Sequence, residues 1–237
     1  MQRIDFDTID STNTFLKNNY DHLQDMTFVS ALLQTAGRGR NNRRWISDKG
    51  NSLMFSVLLL SRCYLEHYRC LSILAAYAVI KVLEMNGLKD LSLKWPNDVY
   101  ASGEKICGIL LEGVSREKME CLIIGVGINV NQRSFEGDYL RKPTSVYLQT
   151  GKITDIESFK EQVYGVFERN LELLREGHDF YDEIIRYDYL KGRKAVAEIN
   201  GSRKEVEILG INRDYTLRIR YDGNESDMDS GEITFHL

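Results

Sequence analysis

The sequence predicts an α+β fold in which helices flank a mixed or antiparallel central sheet and a small SH3-like β-barrel follows. As far as residue 189, apolar runs typical of strands are interspersed with amphipathic helical patterns. Beyond it only short alternating segments remain, separated by the hairpin turns Asn200-Gly201 and Asp222-Gly223. We therefore expect one domain at residues 1–189 and a small one at 190–237, which suits a chain of 237 residues.

Composition narrows the class of protein. The net charge is −4, with 35 acidic and 31 basic residues, so broad nucleic-acid binding is disfavoured. The four cysteines lack C-x-x-C spacing and the four histidines belong to no zinc motif, so free thiols are expected. The chain shows neither an apolar run of membrane-spanning length nor a signal-peptide segment. These features predict a folded cytoplasmic protein.

The first predicted elements are a strand at residues 4–9, a helix after Ser11-Thr12-Asn13 and a buried strand at residues 28–33. Serine, threonine and asparagine are favoured helix N-caps, and capping alone explains their presence. An exposed helix N-terminus also attracts anions, so these three residues are candidates for a ligand site as well.

A segment rich in glycine and arginine follows, from Gln34 to Trp45. Gly37 and Gly39 permit close approach of the backbone to a ligand, and the four arginines of the segment match carboxylate or phosphate oxygens. Trp45 offers an apolar face to a ring. The segment indicates an anion site, although a solvated surface loop or a nucleic-acid contact has the same composition.

Two core elements come next. Residues 51–60 alternate as a strand with one well-buried face, and residues 66–85 carry the apolar stripe of a helix that ends at Asn86-Gly87. A later amphipathic helix is predicted to begin at a capping box, Thr154-Asp155-Ile156-Glu157. We expect the stripe at residues 66–85 to pack in the core and not to bind a cofactor.

The strand that begins at Leu91 runs into Lys94-Trp95-Pro96-Asn97-Asp98. Pro96 cannot continue a central strand and turns the chain, which presents Asn97 and Asp98 at a strand end. An Asx turn explains this segment. The functional alternative is that Asp98 holds a metal-bound phosphate or orients a cation.

Lys105 begins the next strand, which reaches Glu112 and runs antiparallel to the one before it. A lysine at a strand start is usually a solvated edge residue. The hairpin nevertheless sets this lysine near Asn97 and Asp98, so a shared site is the alternative.

The apolar strand at residues 121–131 carries Gly125 and Gly127. The spacing is not a dinucleotide-binding fingerprint, because Val130 stands where a third glycine belongs. Glycines inside a strand mark a bulge or a close-packed neighbour, and they also admit a ligand.

Motifs spread over most of the chain occur in an order that resembles the biotin protein ligase family. Each motif alone is weakly specific, whereas their combination in this order is highly specific. The motifs are Ser11-Thr12-Asn13, the Q-x-x-G-R-G-R run from Gln34 to Arg40 with Trp45 beyond it, Lys94-Trp95-Pro96-Asn97-Asp98, the run from Lys105 to Glu112, the G-x-G-x-N-x-N run from Gly125 to Asn131, and Ser230-Gly231-Glu232-Ile233.

The resemblance implies a class II synthetase-like catalytic domain that binds biotin and ATP at residues 1–189. It also implies an ATP-dependent biotin-[acetyl-CoA-carboxylase] ligase, with ATP and Mg²⁺ as cofactors. Such an enzyme activates biotin with ATP to form biotinyl-5′-AMP. It then transfers biotin to a lysine of the biotin carboxyl carrier protein. Two anions meet in the first step, so preorganised cations suit the chemistry.

The resemblance further implies roles for individual residues. Lys105, Arg38 and Asp98 would be catalytic, with Asp98 holding Mg²⁺ or orienting the carrier lysine. The residues implied for biotin are Ser11, Thr12, Asn13, Gln34, Gly37, Arg38, Gly39, Arg40, Lys105 and Gly108. Those implied for ATP or the adenylate are Arg38, Arg40, Trp45, Asn97, Lys105 and Asn129.

The chain departs from the commonest family pattern at Asn41-Asn42, where many members carry Arg-Gly. The change removes one cation and is expected to stiffen a loop that closes over biotinyl-5′-AMP. Ten residues before Ser11 are too few for the DNA-binding domain of some relatives, so no DNA binding is expected. The sheet face and the strand from Gly125 to Asn131 suggest a possible homodimer.

Two alternatives remain. A lipoate or octanoyl ligase or transferase of the same superfamily handles a similar carboxylate and carrier lysine, but such enzymes usually lack a K-W-P-N-D segment. A non-catalytic adenylate- or nucleic-acid-binding module could use the arginine-rich segment. The acidic net charge and Lys105 argue against that module.

Overall fold

The computed structural model describes residues 2–40, 43–137, 139, 142–199, 202–229 and 235–236. Its first sheet has seven strands in the spatial order β1-β2-β3-β7-β6-β5-β4. β1 and β2 are parallel and every other pairing is antiparallel, so the sheet is mixed, as predicted. The strands are β1 (Gln2–Ile9), β2 (Thr27–Gln34), β3 (Ser52–Leu59), β4 (Leu91–Lys94), β5 (Asp98–Ala101), β6 (Glu104–Ser115) and β7 (Met119–Asn129).

Six α-helices occur in the described part of the chain, and the two long ones cover the sheet. They are α1 (Thr12–Asn19), α2 (Arg62–Glu66), α3 (Tyr68–Met85), α4 (Val146–Thr150), α5 (Ile156–Arg175) and α6 (Tyr181–Ile184), with 3-10 turns at Tyr20–His22 and Ile185–Tyr187. α3 is apolar on nearly all sides and is buried between the sheet and α5. The helix predicted at residues 66–85 corresponds to α3, which begins two residues later because His67 leaves the helical conformation. α2 was not predicted.

The beginning of α5 corrects one prediction. The helix cap is Asp155, whose carboxylate accepts a hydrogen bond from the backbone N–H of Ser158 at 2.7 Å. The predicted capping box, with Thr154 as the cap, is therefore wrong by one residue. Asp155 is a better cap than Thr154 because its ionised side chain also interacts favourably with the positive end of the helix dipole.

A second, antiparallel sheet follows, in the spatial order β11-β10-β9-β8-β12. Its strands are β8 (Lys194–Ile199), β9 (Ser202–Ile211), β10 (Leu217–Tyr221), β11 (Asn224–Met228) and β12 (Phe235–His236). β11 was not predicted, since its sequence is mostly polar; it forms because the tight turn at Asp222 and Gly223, both with positive φ, pairs it with β10. The α+β fold class is confirmed, while the boundary at residues 189/190 stays a prediction.

Three sequence predictions fall outside the described residues. These are the turn at Asn200-Gly201, the motif Ser230-Gly231-Glu232-Ile233, and the change at Asn41-Asn42.

The strand from Gly125 onward lies in the middle of the first sheet. β7 pairs with β3 on one side and with β6 on the other, and its residues from Cys121 onward are buried. The strand therefore has no free edge through which a second copy could extend the sheet, and the possible homodimer stays a prediction. No helix of the described residues is both long enough and apolar enough to cross a bilayer.

Candidate active site

A cavity of about 330 Å³ lies over the middle of the first sheet. Its walls are the start of α1, the segment after β2, the turn between β4 and β5, and the neighbouring strands β6 and β7. A volume of this order suits a small ligand. Every residue predicted for the site lines this cavity except Gly37, whose role is to let the backbone of Trp45 approach, since a Cβ there would lie 2.7 Å from the Trp45 carbonyl oxygen.

The start of α1 forms one end of the cavity. Ser11 caps the helix by accepting from the Thr14 N–H, so its capping role is real. Thr12 donates its backbone N–H to Gln34 Oε1 at 2.8 Å, and its hydroxyl lies 2.6 Å from Ser56 Oγ. Ser56 of β3 is fully buried, so it supports Thr12 at the wall of the cavity without lining the cavity itself.

Asn13 is buried beside it, and both ends of its amide are used. Its Oδ1 accepts from Ser56 Oγ at 2.5 Å, and its Nδ2 donates to Glu112 Oε2 at 2.7 Å. The same carboxylate oxygen accepts from Arg38 Nη2 at 3.0 Å. Asn13 therefore links the polar end of the cavity to the Glu112–Arg38 ion pair, and its amide is oriented by the protein itself.

Ser56 and Glu112 were missed as site residues. The alternation in β3 placed Ser56 on the face opposite Phe55, and Glu112 was quoted only as part of a motif. The sequence signals that could have identified them are a serine within an apolar strand and a carboxylate on another, because polar groups that become buried require partners.

Three glycines create the space for these side chains. A Cβ on Gly125 would lie 2.2 Å from Asn13 Oδ1, and one on Gly127 would lie 2.4 Å from Trp45 Cε2. A Cβ on Gly108 would lie 3.1 Å from Trp45 Cζ3 and 3.3 Å from Lys105 Nζ. Of the sequence interpretations left open, close-packed neighbours explain Gly125 and Gly127.

The turn between β4 and β5 brings opposite charges together. Lys105 Nζ lies 2.7 Å from Asp98 Oδ1, so the predicted proximity across the hairpin is present. Asn97 accepts from Arg40 Nη1 at 3.2 Å and donates to the Ile109 carbonyl at 2.7 Å. Burial lowers the pKa of Arg40, and the Asp98 carboxylate opposes that fall, so Arg40 remains a cation within the wall of the cavity.

Trp45 and Asn129 both line the cavity, but only the Asn129 side chain has a hydrogen-bond partner among the described residues. The Trp45 indole packs over Gly127 and Gly108, and its buried Nε1 has no hydrogen-bond partner among the described residues. An orphaned donor of this kind is suited to a ligand acceptor. Asn129 is buried and donates its Nδ2 to the Thr144 carbonyl at 2.9 Å, so this amide supports the wall.

Cysteine chemistry plays no part in the cavity. All four cysteines are free, as predicted, and none lines it. Burial raises the pKa of Cys70 to about 12 and that of Cys121 to about 11, and it also raises the pKa of Cys107. These thiols are therefore protonated and unreactive at neutral pH.

Comparisons with known proteins fit this arrangement. Residues 6–129 match the model of the biotin/lipoate A/B protein ligase family. The biotin–[acetyl-CoA-carboxylase] ligase of Paracoccus denitrificans is 33% identical over 166 residues, covering 68% of this chain and 69% of that protein. The bifunctional ligase/repressor BirA of Bacillus spizizenii is 37% identical over 146 residues, covering 60% of this chain but only 45% of its own length.

The fold comparison extends over nearly the whole chain. The structure of a biotin protein ligase from Aquifex aeolicus in complex with biotin and ATP superposes with a TM-score of 0.83 at 28% identity, covering 99% of this chain and 98% of that one. The match of the family model to more than half of the sequence shows the family. This chain belongs to the biotin/lipoate A/B protein ligase family.

Proposed function

We propose that this chain is an ATP-dependent biotin protein ligase, which forms biotinyl-5′-AMP and transfers biotin to a lysine of a biotin carboxyl carrier domain. One observation carries the proposal. The lining of a single cavity combines hydrogen-bonding groups, at Thr12 and Gln34, with cations of the segment after β2 and of β6, at Arg38, Arg40 and Lys105. Biotin has this polarity, with a polar ring system at one end and a carboxylate at the other.

In the first step a carboxylate oxygen of biotin attacks the α-phosphorus of ATP, and pyrophosphate leaves with the electron pair of the broken P–O bond. Negative charge builds up on the α-phosphate oxygens. Arg38, Arg40 and Lys105 provide fixed positive charge there, so little reorganisation is needed as the charge develops. The Trp45 indole packs on the glycine strands beside them and offers both a face and a free N–H to the adenylate.

In the second step the neutral ε-amine of the carrier lysine attacks the biotinyl carbonyl, and AMP leaves. Asp98 lies at the cavity wall and is the carboxylate able to accept the proton of that amine. A single carboxylate at the cavity wall would also suit Mg²⁺, which proteins commonly hold with one or two carboxylates together with substrate phosphates. When bound, Mg²⁺ would neutralise phosphate charge, with Asp98 as its protein ligand.

Two wider assignments remain part of the proposal. A cytoplasmic location is supported by four unpaired cysteines, since disulfides are rare in that compartment. A homodimer would not form by edge-to-edge pairing at β7, because both edges of that strand are paired.

The test is a substrate comparison. The protein is incubated with Mg-ATP and biotin, lipoate or octanoate, and pyrophosphate release and transfer to a biotin carboxyl carrier domain are measured. Biotin is expected to support both. If lipoate or octanoate supports turnover and biotin does not, the chain still belongs to the family but its substrate is not biotin. Binding of ATP and biotin without pyrophosphate would favour a non-catalytic module.

Glu112 gives a second prediction. Glu112→Gln keeps one oxygen for Asn13 but removes the charge that holds Arg38, so we expect the KM for biotin to rise by roughly three- to tenfold. Glu117→Gln is the matched control, because Glu117 is exposed in the turn between β6 and β7. Steady-state adenylate assays across a biotin series measure both. Equal KM values for the two variants would remove the role of Glu112.

A further inference from the structure

The second sheet touches the wall of the cavity through one turn. Residues 212–216 connect β9 and β10, and the carbonyl oxygen of Tyr215 accepts a hydrogen bond from Trp95 Nε1 at 3.0 Å. Trp95 is 4% exposed and belongs to the turn between β4 and β5 that carries Asn97 and Asp98. A residue 120 positions away thus satisfies the only polar atom of a buried side chain in the site.

The turn at residues 212–216 has a defined conformation. The Tyr215 N–H donates to the Asn212 carbonyl at 2.9 Å, and the Asn212 N–H donates to the Thr216 carbonyl at 2.8 Å. Asp214 accepts from both the N–H and the hydroxyl of Thr216. Tyr215 itself has φ of 65°, in the left-handed region. The direction of its carbonyl depends on that conformation, which β-branched side chains disfavour.

Two other elements hold the turn between β4 and β5. Ser72 of α3 donates its hydroxyl to the Pro96 carbonyl at 3.1 Å. On β6, the Ile109 N–H donates to the Asn97 carbonyl at 2.9 Å. Tyr215 is therefore one of three anchors, and the second sheet supplies it. Asn97 and Asp98, held in this way, contact Arg40 and Lys105.

We propose that Tyr215 is a positioning residue of the active site: its carbonyl, through Trp95, holds Asn97 and Asp98 against the cations that receive the α-phosphate. The proposal rests on the function given above. Its effect falls on the nucleotide side of the cavity, because the hydrogen bonds at the biotin end connect Thr12, Asn13 and Ser56 and include no group of this turn.

Two substitutions at one position separate the carbonyl from the ring. Tyr215→Asn and Tyr215→Val both delete the aromatic side chain, but asparagine tolerates the left-handed conformation and valine does not. We expect Tyr215→Val to lower kcat for adenylate formation by about tenfold and to raise the KM for ATP, with the KM for biotin unchanged. Tyr215→Asn is expected to stay within about threefold of the unsubstituted protein on both parameters.

A third variant removes the donor. Trp95→Phe keeps an aromatic ring but lacks the N–H, and it should reproduce the kinetic pattern of Tyr215→Val. Thermal unfolding of all variants gives the folded fraction at the assay temperature. Equal losses in Tyr215→Asn and Tyr215→Val, equal rises in both KM values, or a rate loss equal to the unfolded fraction would each overturn the proposal.

The two proposals can fail separately. If the unsubstituted protein makes no biotinyl-5′-AMP, the proposed function is wrong. Hydrogen exchange at the backbone N–H of Asn97, which donates to the Lys94 carbonyl at 3.2 Å, then tests the anchor without catalysis. Faster exchange in Tyr215→Val than in Tyr215→Asn supports the anchor, and equal rates reject it.

Discussion

Lys105→Gln is expected to slow the formation of biotinyl-5′-AMP by roughly 100- to 1,000-fold while the protein stays folded. Lys105 Nζ lies 2.7 Å from Asp98 Oδ1 and faces the cavity, so the variant removes a fixed cation from the place where charge develops. Its side chain is about one-third exposed, so folding depends little on it. Single-turnover assays with ATP and biotin measure the step directly.

Lys142→Gln is the matched control. Lys142 pairs with Glu104, is largely exposed and does not line the cavity, although its backbone carbonyl accepts from the Lys105 N–H. The Lys142→Gln variant also removes one positive charge close to Lys105, and it should leave the rate of biotinyl-5′-AMP formation within about twofold of that of the unsubstituted protein. A loss in Lys142→Gln as large as that in Lys105→Gln would mean that overall charge, and not position, is responsible.

Gly125→Ala should lower the affinity for biotin at least about tenfold. The added methyl group would lie 2.2 Å from Asn13 Oδ1, so Asn13 must leave its hydrogen bonds with Ser56 and Glu112. The displaced Asn13 amide and the added methyl group both stand at the biotin end of the cavity, and each 1.4 kcal/mol of binding free energy lost corresponds to roughly a tenfold change in affinity. The broken hydrogen bonds also lower the stability of the fold, by about 1–3 kcal/mol each. Isothermal titration with biotin measures the change.

Gly165→Ala serves as the control for the same chemical change. Gly165 lies in α5, and nothing approaches within 4 Å of a Cβ placed there. Alanine in the middle of a helix stabilises the fold by about 0.5–1 kcal/mol over glycine, so biotin affinity should be unchanged and the melting temperature slightly higher. Unchanged biotin affinity in Gly125→Ala would show that Asn13 does not shape the site.

The sequence predicted the parts of the fold that depend on local patterns. Six of the seven strands of the first sheet and the helix α3 follow from apolar periodicity and from the stop at Asn86-Gly87. β5 was not predicted, and it separates β4 from β6, which were expected to pair directly. β11 was missed because its residues are polar, and its pairing depends on the turn that precedes it. The cap of α5 was assigned to Thr154 because both threonine and aspartate favour that position, and the structure shows that the ionised Asp155 takes it.

The sequence predicted those site residues that belong to recognisable motifs. Lys105 and Asp98 were expected to meet because a short hairpin connects them. Ser56, Glu112 and Tyr215 were not predicted, because what they do depends on which distant residue each contacts. Tyr215 contributes only a backbone carbonyl, which any residue has, so no side-chain pattern could identify it.

The contact between Trp95 and Tyr215 has a consequence for synthesis on the ribosome. Every side chain at the biotin end has been made once Gly125 is added, whereas Tyr215 follows about 90 residues later, or roughly 5 to 20 seconds at ordinary translation rates. During that interval the nascent chain would contain the side chains at the biotin end of the cavity but not the Tyr215 carbonyl that accepts from Trp95. On the proposed function, a nascent chain that has not yet reached Tyr215 would therefore form the mixed anhydride more slowly than one that has.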